Sequence, residues 1–271
     1  MEKILHGSGK SLLLLGPLVS SELDRDVDTR AALSTGTLPG IYLDPDRTAR
    51  EKTLSSYCAT YLKEEIQAEA LTRNIEGFSR FLHVAAACAG SFLDLSKLAS
   101  EAGIARQSAV RLFEILEDTL IVRRSEAFAK SERRRLVQHP RYFFFDTGVL
   151  NGVMRNFEPS PDRIGALMEH LVFNQIVHTA SSLDQHIRVS SFRTEHGAEV
   201  DFIVETKKQT WAVEVKASKS VGKHDLRGLK RFQEFHGKTC GAVILYLGTV
   251  EKLIEGIEIL PWQVGLERMG L

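Results

Sequence analysis

The most constraining feature of this 271-residue chain is a pair of alternating runs in its last third. The stretch GAEVDFIVETKKQTWAVEVKAS, residues 197–218, has apolar side chains at every second position on both sides of the short polar segment TKKQ. A period of two is typical of β-strands, and a short polar connection joins antiparallel neighbours. The stretch therefore predicts a β-hairpin. Its shared apolar face comprises Val200, Phe202, Val204, Trp211, Val213 and Val215.

The length of the connecting segment fixes which residues face one another across this hairpin. Closing the loop over Thr206–Gln209 sets Asp201 directly opposite Glu214, because register in a hairpin follows from loop length. The same register sets Glu199 opposite Lys216. Facing carboxylates in a ladder repel each other unless a cation lies between them. The hairpin therefore predicts a cation close to Asp201 and Glu214.

A third carboxylate comes from the helix that is predicted over Gly165–Ala180. Its polar positions are expected to mark a solvent-exposed face, comprising His170, Asn174, His178 and Ser181. Glu169 falls on the opposite, apolar side, where a carboxylate is costly unless it is paired or binds a metal. Hard oxygen ligands without accompanying His or Cys favour Mg²⁺ or Mn²⁺. The sequence therefore predicts a Mg²⁺ (or Mn²⁺) site whose ligands are Glu169, Asp201 and Glu214.

A network of ordinary ion pairs is the alternative interpretation of these acids. In that network Glu199 pairs with Lys216 across the ladder, and Lys216 also lies near Glu214. Both interpretations stay open at the level of the residues alone.

The order of predicted elements in the second half of the chain indicates the fold class. The helix over Gly165–Ala180 is followed by three strands, a helix and a strand. These are Ile187–Phe192, Glu199–Val204, Trp211–Ala217, Asp225–Phe235 and Gly241–Gly248. Strands and helices in this order build a mixed sheet with flanking helices, which predicts an α/β domain of order αβββαβ.

The segment before this domain is predicted to be helical. In LSKLASEAGIARQSAVRLFEILEDTLIVRRSEAF, residues 95–128, a short helix, a turn at Gly103 and a longer helix precede a β-rich tail, which predicts a winged helix. Ala105 stands where a capping Ser or Asn is expected. Candidate nucleic-acid contacts are Arg106, Gln107 and Arg111 at the start of the second helix. The basic run that follows comprises Arg123, Arg124, Lys130, Arg133, Arg134, Arg135 and Arg141.

Two functions fit this basic segment. Clustered Arg and Lys side chains are typical of contacts to nucleic-acid phosphates. A solvated charged face on a small helical domain is equally consistent with the pattern, because the same fold is used for contacts between proteins.

The segment HGSGKSLLLL, residues 6–15, ends in the GKS of a phosphate-binding loop. The position of the loop's first glycine is occupied by Ile4, and Gly16-Pro17 would end any helix within two turns. The four leucines are predicted to form a short strand instead. ATP binding through Gly9, Lys10 and Ser11 is therefore only the third function to be considered.

Composition limits the compartment and the partners. A formal net charge of zero means that a polyanionic partner would have to be met by a local patch. The three cysteines are widely spaced in apolar runs, which indicates free thiols in a reducing compartment. The longest apolar stretch, Leu82–Leu93, is too short to cross a bilayer. These features predict a cytoplasmic protein that does not enter membranes.

Taken together, the helical Glu169, Asp201 and the Glu214-Val-Lys216 motif resemble the PD-(D/E)xK superfamily of restriction-endonuclease-like nucleases. More closely, YLKEEI, FLHVAAACAG, YFFFDTGVL, GALMEHLVFNQI, FRTEHGAEVDFIVE and AVEVKAS resemble the carboxyl-terminal half of a family of predicted prokaryotic AAA+ ATPases. That half joins a winged helix to a nuclease-like domain. The resemblance extends from about Leu18 to Gly248, and the chain looks like a truncated member because the ATPase core of the family is missing.

The resemblance implies roles for the acidic residues. Asp201 and Glu214 would hold the metal, Glu169 would complete its shell, and Lys216 would position or activate the attacking water. The implied function is a nuclease-like protein that acts on or binds DNA, with a Mg²⁺-dependent phosphodiester hydrolysis site. The alternative is a catalytically inactive nuclease fold that serves as a binding or regulatory module of an AAA+ ATPase system. An AAA+ protein or a second copy of the chain is then a candidate partner.

Three domains are expected from these observations. Residues 1–50 would form a connector or the remnant of an ATPase unit. Residues 51–135 would form a helical and winged-helix domain, and residues 136–262 the nuclease-like domain.

Overall fold

A computed structural model describes residues 3–5, 12–14, 16–61, 75–128, 139–236 and 240–271 of the chain. Strands β1 to β10 span Lys3–Leu5, Leu12–Leu14, Val122–Ala127, Arg141–Phe144, Arg188–Arg193, Glu199–Glu205, Thr210–Lys216, Gly241–Tyr246, Lys252–Ile254 and Ile257–Pro261. Helices α1 to α10 span Thr29–Thr35, Pro39–Tyr42, Arg47–Ser56, Ile75–Ala87, Leu95–Ala102, Arg106–Asp118, Thr147–Met154, Ile164–Ser182, Arg227–His236 and Trp262–Arg268. Short 3₁₀ helices cover Ser20–Leu23 and Lys223–Leu226, and Tyr57–Tyr61 continues α3 as a π-helical turn.

An eight-stranded mixed sheet organises these elements, in the order β4-β3-β5-β6-β7-β8-β10-β9. Three neighbouring pairs, β3/β5, β7/β8 and β8/β10, are parallel, and the other four are antiparallel. The predicted order of helix, three strands, helix and strand is confirmed as α8, β5, β6, β7, α9 and β8. The chain is therefore an α/β protein with a mixed sheet.

The central hairpin forms with the predicted register from Phe202 to Thr210, but Val200, predicted on the shared apolar face, lies in the second core instead. The register pairs Phe202 with Val213 and Val204 with Trp211. These four side chains lie in the core layer that includes α8. The alternate residues Ile203 and Ala212 lie in a second core beneath α9. Both faces of the hairpin are thus buried, which explains why its strands carry apolar residues on each side.

Helix α8 differs from its prediction. Of the four positions expected at a solvent face, only Ser181 is exposed, whereas His170, Asn174 and His178 are buried. The Nε2 atom of His170 lies 2.8 Å from the carbonyl oxygen of Phe144, and the Nε2 atom of His178 lies 3.2 Å from the carbonyl oxygen of Phe145. The predicted solvent face is wrong because α1 and β4, as well as the hairpin, pack against α8.

The segment before the hairpin domain joins the same sheet. Helices α5 and α6 are connected through Gly103, whose φ of 64° lies in the left-handed region that glycine adopts without strain. Strand β3 follows α6, pairs antiparallel with β4 and also pairs parallel with β5. The sheet is therefore continuous across the boundary predicted between residues 135 and 136.

The first 50 residues also contribute to the core. Helix α1 packs on α7, and the Asn151 side chain donates hydrogen bonds to the carbonyls of Leu33 and Ser34 at 2.9 and 2.7 Å. Asp146 caps α7 by accepting from the amide of Gly148 at 2.8 Å, and it also accepts from the amide of Thr37 at 2.8 Å. The described part of the predicted connector is thus packed against the main core.

Near the amino terminus, Leu12–Leu14 forms a strand that pairs antiparallel with Lys3–Leu5, so the predicted strand is confirmed for these residues. The glycine and lysine of the GKS motif lie outside the described residues, as does its serine. Within the described ranges, no helix combines the length and apolar character needed to cross a membrane.

Candidate acidic site

The hairpin ladder stops just before the predicted acidic pair. The paired residues run from Glu205–Thr210 to Phe202–Val213, one step short of Asp201 and Glu214. At that point the amide of Val215 donates to the Asp201 carboxylate at 2.8 Å. The buried Asp201 side chain is thus fixed in place by a backbone group of the neighbouring strand. The two acids lie on adjacent strands at the same end of the hairpin.

Lys216 pairs with the acid two residues before it. Its Nζ atom donates to Oε1 of Glu214 at 2.6 Å. The other oxygen of that carboxylate, Oε2, is buried and has no hydrogen-bond partner among the described residues. The ion pair expected between Glu199 and Lys216 is not formed. Glu199 instead pairs with Arg193, at 3.8 Å. Of the two contacts in the ion-pair interpretation, only the one between Lys216 and Glu214 is therefore present.

Glu169, on α8, forms an ion pair with Arg141, which begins β4. The Arg141 guanidinium also donates to the carbonyl of Gly90 and, at 3.3 Å, to the carbonyl of Asp201. Its side chain is only 4% exposed. Its central carbon lies 5.1 to 5.9 Å from the ring centres of Phe92, Phe143 and Phe202. Arg141 therefore links the helical half of the chain to the acidic residues.

The site thus unites the four residues that the sequence singled out and adds Arg141. Arg141 is the last residue of the basic run that the sequence predicts after the second helix. A local signal was present, because an arginine directly before the apolar run YFFF enters a buried strand, where its charge needs a partner. Which carboxylate would provide that partner depends on contacts between distant segments.

The carboxylates of this site are shifted towards their neutral forms. Burial raises the pKa of Glu214 to about 8 and that of Glu169 to about 7, and repulsion from Asp201 adds to both. Burial also raises the pKa of Asp201 itself, against the attraction of Arg141. Burial alone would lower the pKa of Lys216, but its attraction to Glu214 and Asp201 raises it. The pKa of Glu214 is raised despite its close pairing with Lys216, because burial and repulsion from Asp201 raise it more than the ammonium group lowers it.

The donor set suits a hard cation in part. Three carboxylates face two cationic side chains, and one buried carboxylate oxygen of Glu214 lacks a partner. Such oxygens are the ligands that Mg²⁺ takes in proteins. Across the residues that the structure describes, however, no group of three or more His, Cys, Asp or Glu side chains is arranged as a ready-made metal site. Asp201 and Glu214 each use one carboxylate oxygen in the hydrogen bonds described above, whereas Glu169 would have to leave Arg141 to bind an ion.

Of the basic residues predicted to contact nucleic acid, Arg141 belongs to this site, and the site's hydrogen bonds and ion pairs involve none of the other described members. Arg106, Gln107 and Arg111 are exposed on the first turns of α6, and Ala105 makes no side-chain cap, as its sequence implies. Arg124 is engaged by Glu117 at 2.8 Å.

The other predicted nucleic-acid contacts are either half-buried or outside the described residues. Arg123 is half-buried, and its Nε atom has no hydrogen-bond partner among the described residues. Lys130, Arg133, Arg134 and Arg135 lie outside the described residues.

Comparison with protein families divides the chain in two. Residues 27–160 match a family described as Domain of unknown function (DUF8612), and residues 164–264 match one described as Domain of unknown function (DUF4143). The division falls in the loop between α7 and α8, later than the predicted boundary at residue 135. The second domain is commonly found in AAA-ATPase-associated proteins, which agrees with part of the resemblance noted in the sequence. A comparison with curated proteins finds no match.

Proposed function

We propose that the protein is nuclease-like, binds DNA and hydrolyses phosphodiester bonds in a Mg²⁺-dependent reaction at the acidic site. The observation that carries this proposal is the convergence of Asp201, Glu214, Glu169 and Lys216 at one end of the central hairpin. Buried like charges of this kind are costly for stability, and they cluster where function requires them.

The fold is consistent with the finer classes that the sequence resemblance implies. The order α8, β5, β6, β7, α9 and β8 is the order of a restriction-endonuclease-like core. Helices α5 and α6 followed by the antiparallel pair β3 and β4 form the set of elements that a winged helix needs. We assign these two folds as part of the proposal.

Each side chain has a definable role in this proposal. Asp201 and Glu214 are the residues that would hold the ion, with Glu169 as a further ligand once it is released from Arg141. When bound, Mg²⁺ would supply polarisation of the phosphoryl group and a lowered pKa of a bound water. The Lys216 ammonium group, held on the same face as Glu214, donates hydrogen bonds to the attacking water or to the oxygen on which negative charge develops.

Cleavage assays and thermal unfolding of matched variants test this proposal. Lys216→Ala should reduce the cleavage rate by roughly 10²–10³ while Mg²⁺ still raises the melting temperature. Asp201→Asn keeps an oxygen that can accept from Val215, so the metal-free variant should be at least as stable as the wild type. It should lose both cleavage and the stabilisation by Mg²⁺, which for a tight ligand at a hundred times its Kd amounts to about 2.7 kcal/mol.

Glu205→Gln, at the other end of the same strand, is the control and should behave as the wild type does. A wild-type protein that shows neither a Mg²⁺-dependent shift nor cleavage of plasmid or oligonucleotide DNA would contradict the proposal.

A second candidate function is an inactive nuclease fold that acts as a binding or regulatory module of an AAA+ ATPase system. The observation that favours it is Arg141, whose buried guanidinium already neutralises Glu169. If the arginine takes the place of a metal, wild type should show no response to Mg²⁺ in the assay above. Replacing the arginine should then create such a response.

A further inference from the structure

An open groove of about 830 Å³ lies beside α9. We call it the α9 groove. Its polar lining comprises Lys223, Arg227, Lys230, Arg231 and Glu234 from the helical side, with Thr194 and His196 from the turn between β5 and β6. Its apolar lining comes from Phe192, Ala198 and Phe235. Four cationic side chains thus line one groove of a chain whose net charge is zero.

The cations lie in a row because of helical spacing. Arg227, Lys230 and Arg231 are separated by three and four positions, which places them on one face of α9. Lys223 precedes them in the 3₁₀ turn that leads into the helix. All four are exposed or half-buried, and the apolar positions Leu229 and Phe232 face the sheet instead. The arrangement is a ridge of positive charge along an open groove.

Acidic neighbours neutralise only part of this ridge. Lys223 and Lys230 share the single carboxylate of Glu255. Arg231 pairs with Glu234 at 2.9 Å. For Arg227, which is exposed, the described part of the chain offers no side-chain hydrogen bond or ion pair. A guanidinium without a partner presents donors in the planar geometry that suits phosphate oxygens.

The amino-terminal end of α9 packs at the end of the hairpin that carries the acidic site. Helix α9 lies against the start of β6, where a Cβ atom added to Gly228 would fall 1.9 Å from the carbonyl oxygen of Glu199. This glycine is required by the close approach of the two backbones. Asp201 follows Glu199 by two residues on the same strand, and the 3₁₀ turn at Lys223 follows Lys216 by seven. The amino-terminal end of α9 and the carboxylates therefore share one end of the hairpin.

We propose that the α9 groove binds the sugar-phosphate backbone of a nucleic-acid strand and guides it to the carboxylates of the acidic site. This inference rests on the proposed function and adds a binding surface to it. A row of cations matches a ligand that carries a charge at every repeat, and each contact releases counterions from the strand. The acidic site alone would repel such a ligand, so a neighbouring cationic surface is needed to bring the strand close.

Binding of fluorescein-labelled single-stranded and duplex oligonucleotides, measured by anisotropy in EDTA, tests the groove without any cleavage. Arg227→Gln removes a charge that has no partner in the folded chain, so the fold should be retained. We expect roughly tenfold weaker binding at low salt. We also expect the slope of log K against log salt to become shallower by about 0.7 for single strands or 0.9 for duplex.

Arg188→Gln is the matched control, because it also removes one exposed arginine from the same domain at the other end of β5. It should leave the affinity and the salt slope as in the wild type. Wild-type binding that Arg227→Gln does not weaken would overturn the inference. So would equal, Arg227-dependent binding of poly-glutamate or of phosphatidylserine vesicles, since the groove would then be a general anion site.

The failure of the groove and the failure of the proposed function give different results. Arg227-dependent binding in EDTA without cleavage in Mg²⁺ supports the groove and rejects hydrolysis. Mg²⁺-dependent cleavage whose KM and kcat are both unchanged in Arg227→Gln supports hydrolysis and overturns the groove.

Discussion

At the scale of single residues, the acidic site is a problem of charge balance. Asp201, Glu169 and Glu214 are brought together with only Arg141 and Lys216 to offset them. Burial raises the pKa values of all three carboxylates, and repulsion from Asp201 adds to those of Glu169 and Glu214. Such a site is stabilised by protons, by a metal ion or by a further cation, and experiments can tell these apart.

The pH dependence of stability tests this balance at Glu214. A raised pKa means that the folded state holds a proton that the unfolded chain releases at lower pH, so stability falls as pH rises from about 4.5 to about 8. Glu214→Gln mimics the protonated form and removes this contribution. The variant should match the wild type near pH 4.5 and become progressively more stable than it towards pH 8, without added metal.

Urea unfolding at intervals of half a pH unit measures this difference. Other groups titrate in the same range, including Asp146 and Glu169, whose pKa values are raised to about 6 and about 7. Comparing variant with wild type cancels the contribution of Asp146, which lies outside the site. Saturating Mg²⁺ should reduce the difference if the ion binds Glu214. A stability difference that does not change with pH would show that Glu214 is not held in a strained, protonated state.

At the scale of elements, the sequence predicts the pairing of neighbouring strands better than the packing of helices against the sheet. The hairpin register follows from loop length and alternation, so Phe202–Val213 and Val204–Trp211 were predictable. The burial of His170 and His178 was not, because periodicity alone does not reveal that β4 and α1 also pack against α8. The pairing of Arg141 with Glu169 was missed for the same reason.

A double-mutant cycle on Arg141 and Glu169 tests the link between β4 and α8. Arg141→Met leaves a buried carboxylate without its partner and should destabilise the chain by about 3–5 kcal/mol. Glu169→Gln should cost less, because the amide oxygen still accepts from the guanidinium. In the double variant the buried charge is gone from both sides, so the loss should be smaller than the sum of the single losses.

The same variants separate the two candidate functions when they are unfolded with and without Mg²⁺. In Arg141→Met, Glu169 becomes available to a metal. Stabilisation by Mg²⁺ that appears only in this variant indicates that the arginine replaces a metal in the wild type. Stabilisation of the wild type as well favours the hydrolytic function. Additive losses in the cycle would mean that the Arg141–Glu169 contact contributes nothing to stability.

At the scale of the whole molecule, the two segments defined by family comparison are joined by one sheet and one main core. Strands β3 and β4 lie in the first segment and β5 lies in the second, so the parallel pairing of β3 with β5 joins the two segments. The sequence could not predict the parallel pairing of β3 with β5. Only two residue pairs connect these strands, which are distant in sequence, and so short a contact leaves no periodic signal. A domain boundary near residue 135 was inferred from a change of pattern, which reports local structure and not packing.

This continuity makes a prediction about the fragment comprising residues 136–262, the expected nuclease-like domain. The fragment would lose β3, leaving one edge of β5 unpaired, and would lose α1, which packs on α7 and α8. It would also lose the hydrogen bond from Trp262 Nε1 to Thr29 Oγ1 and most of α10, which packs on β8 and β10. Exposed strand edges and missing core partners favour a loosely packed or aggregating state.

We therefore expect the fragment to lack the cooperative urea transition of the full chain and to bind a hydrophobic dye. Mixing it with residues 1–135 should restore part of the transition. A fragment that unfolds in one sharp transition, with dispersed amide resonances, would instead establish residues 136–262 as an independent domain.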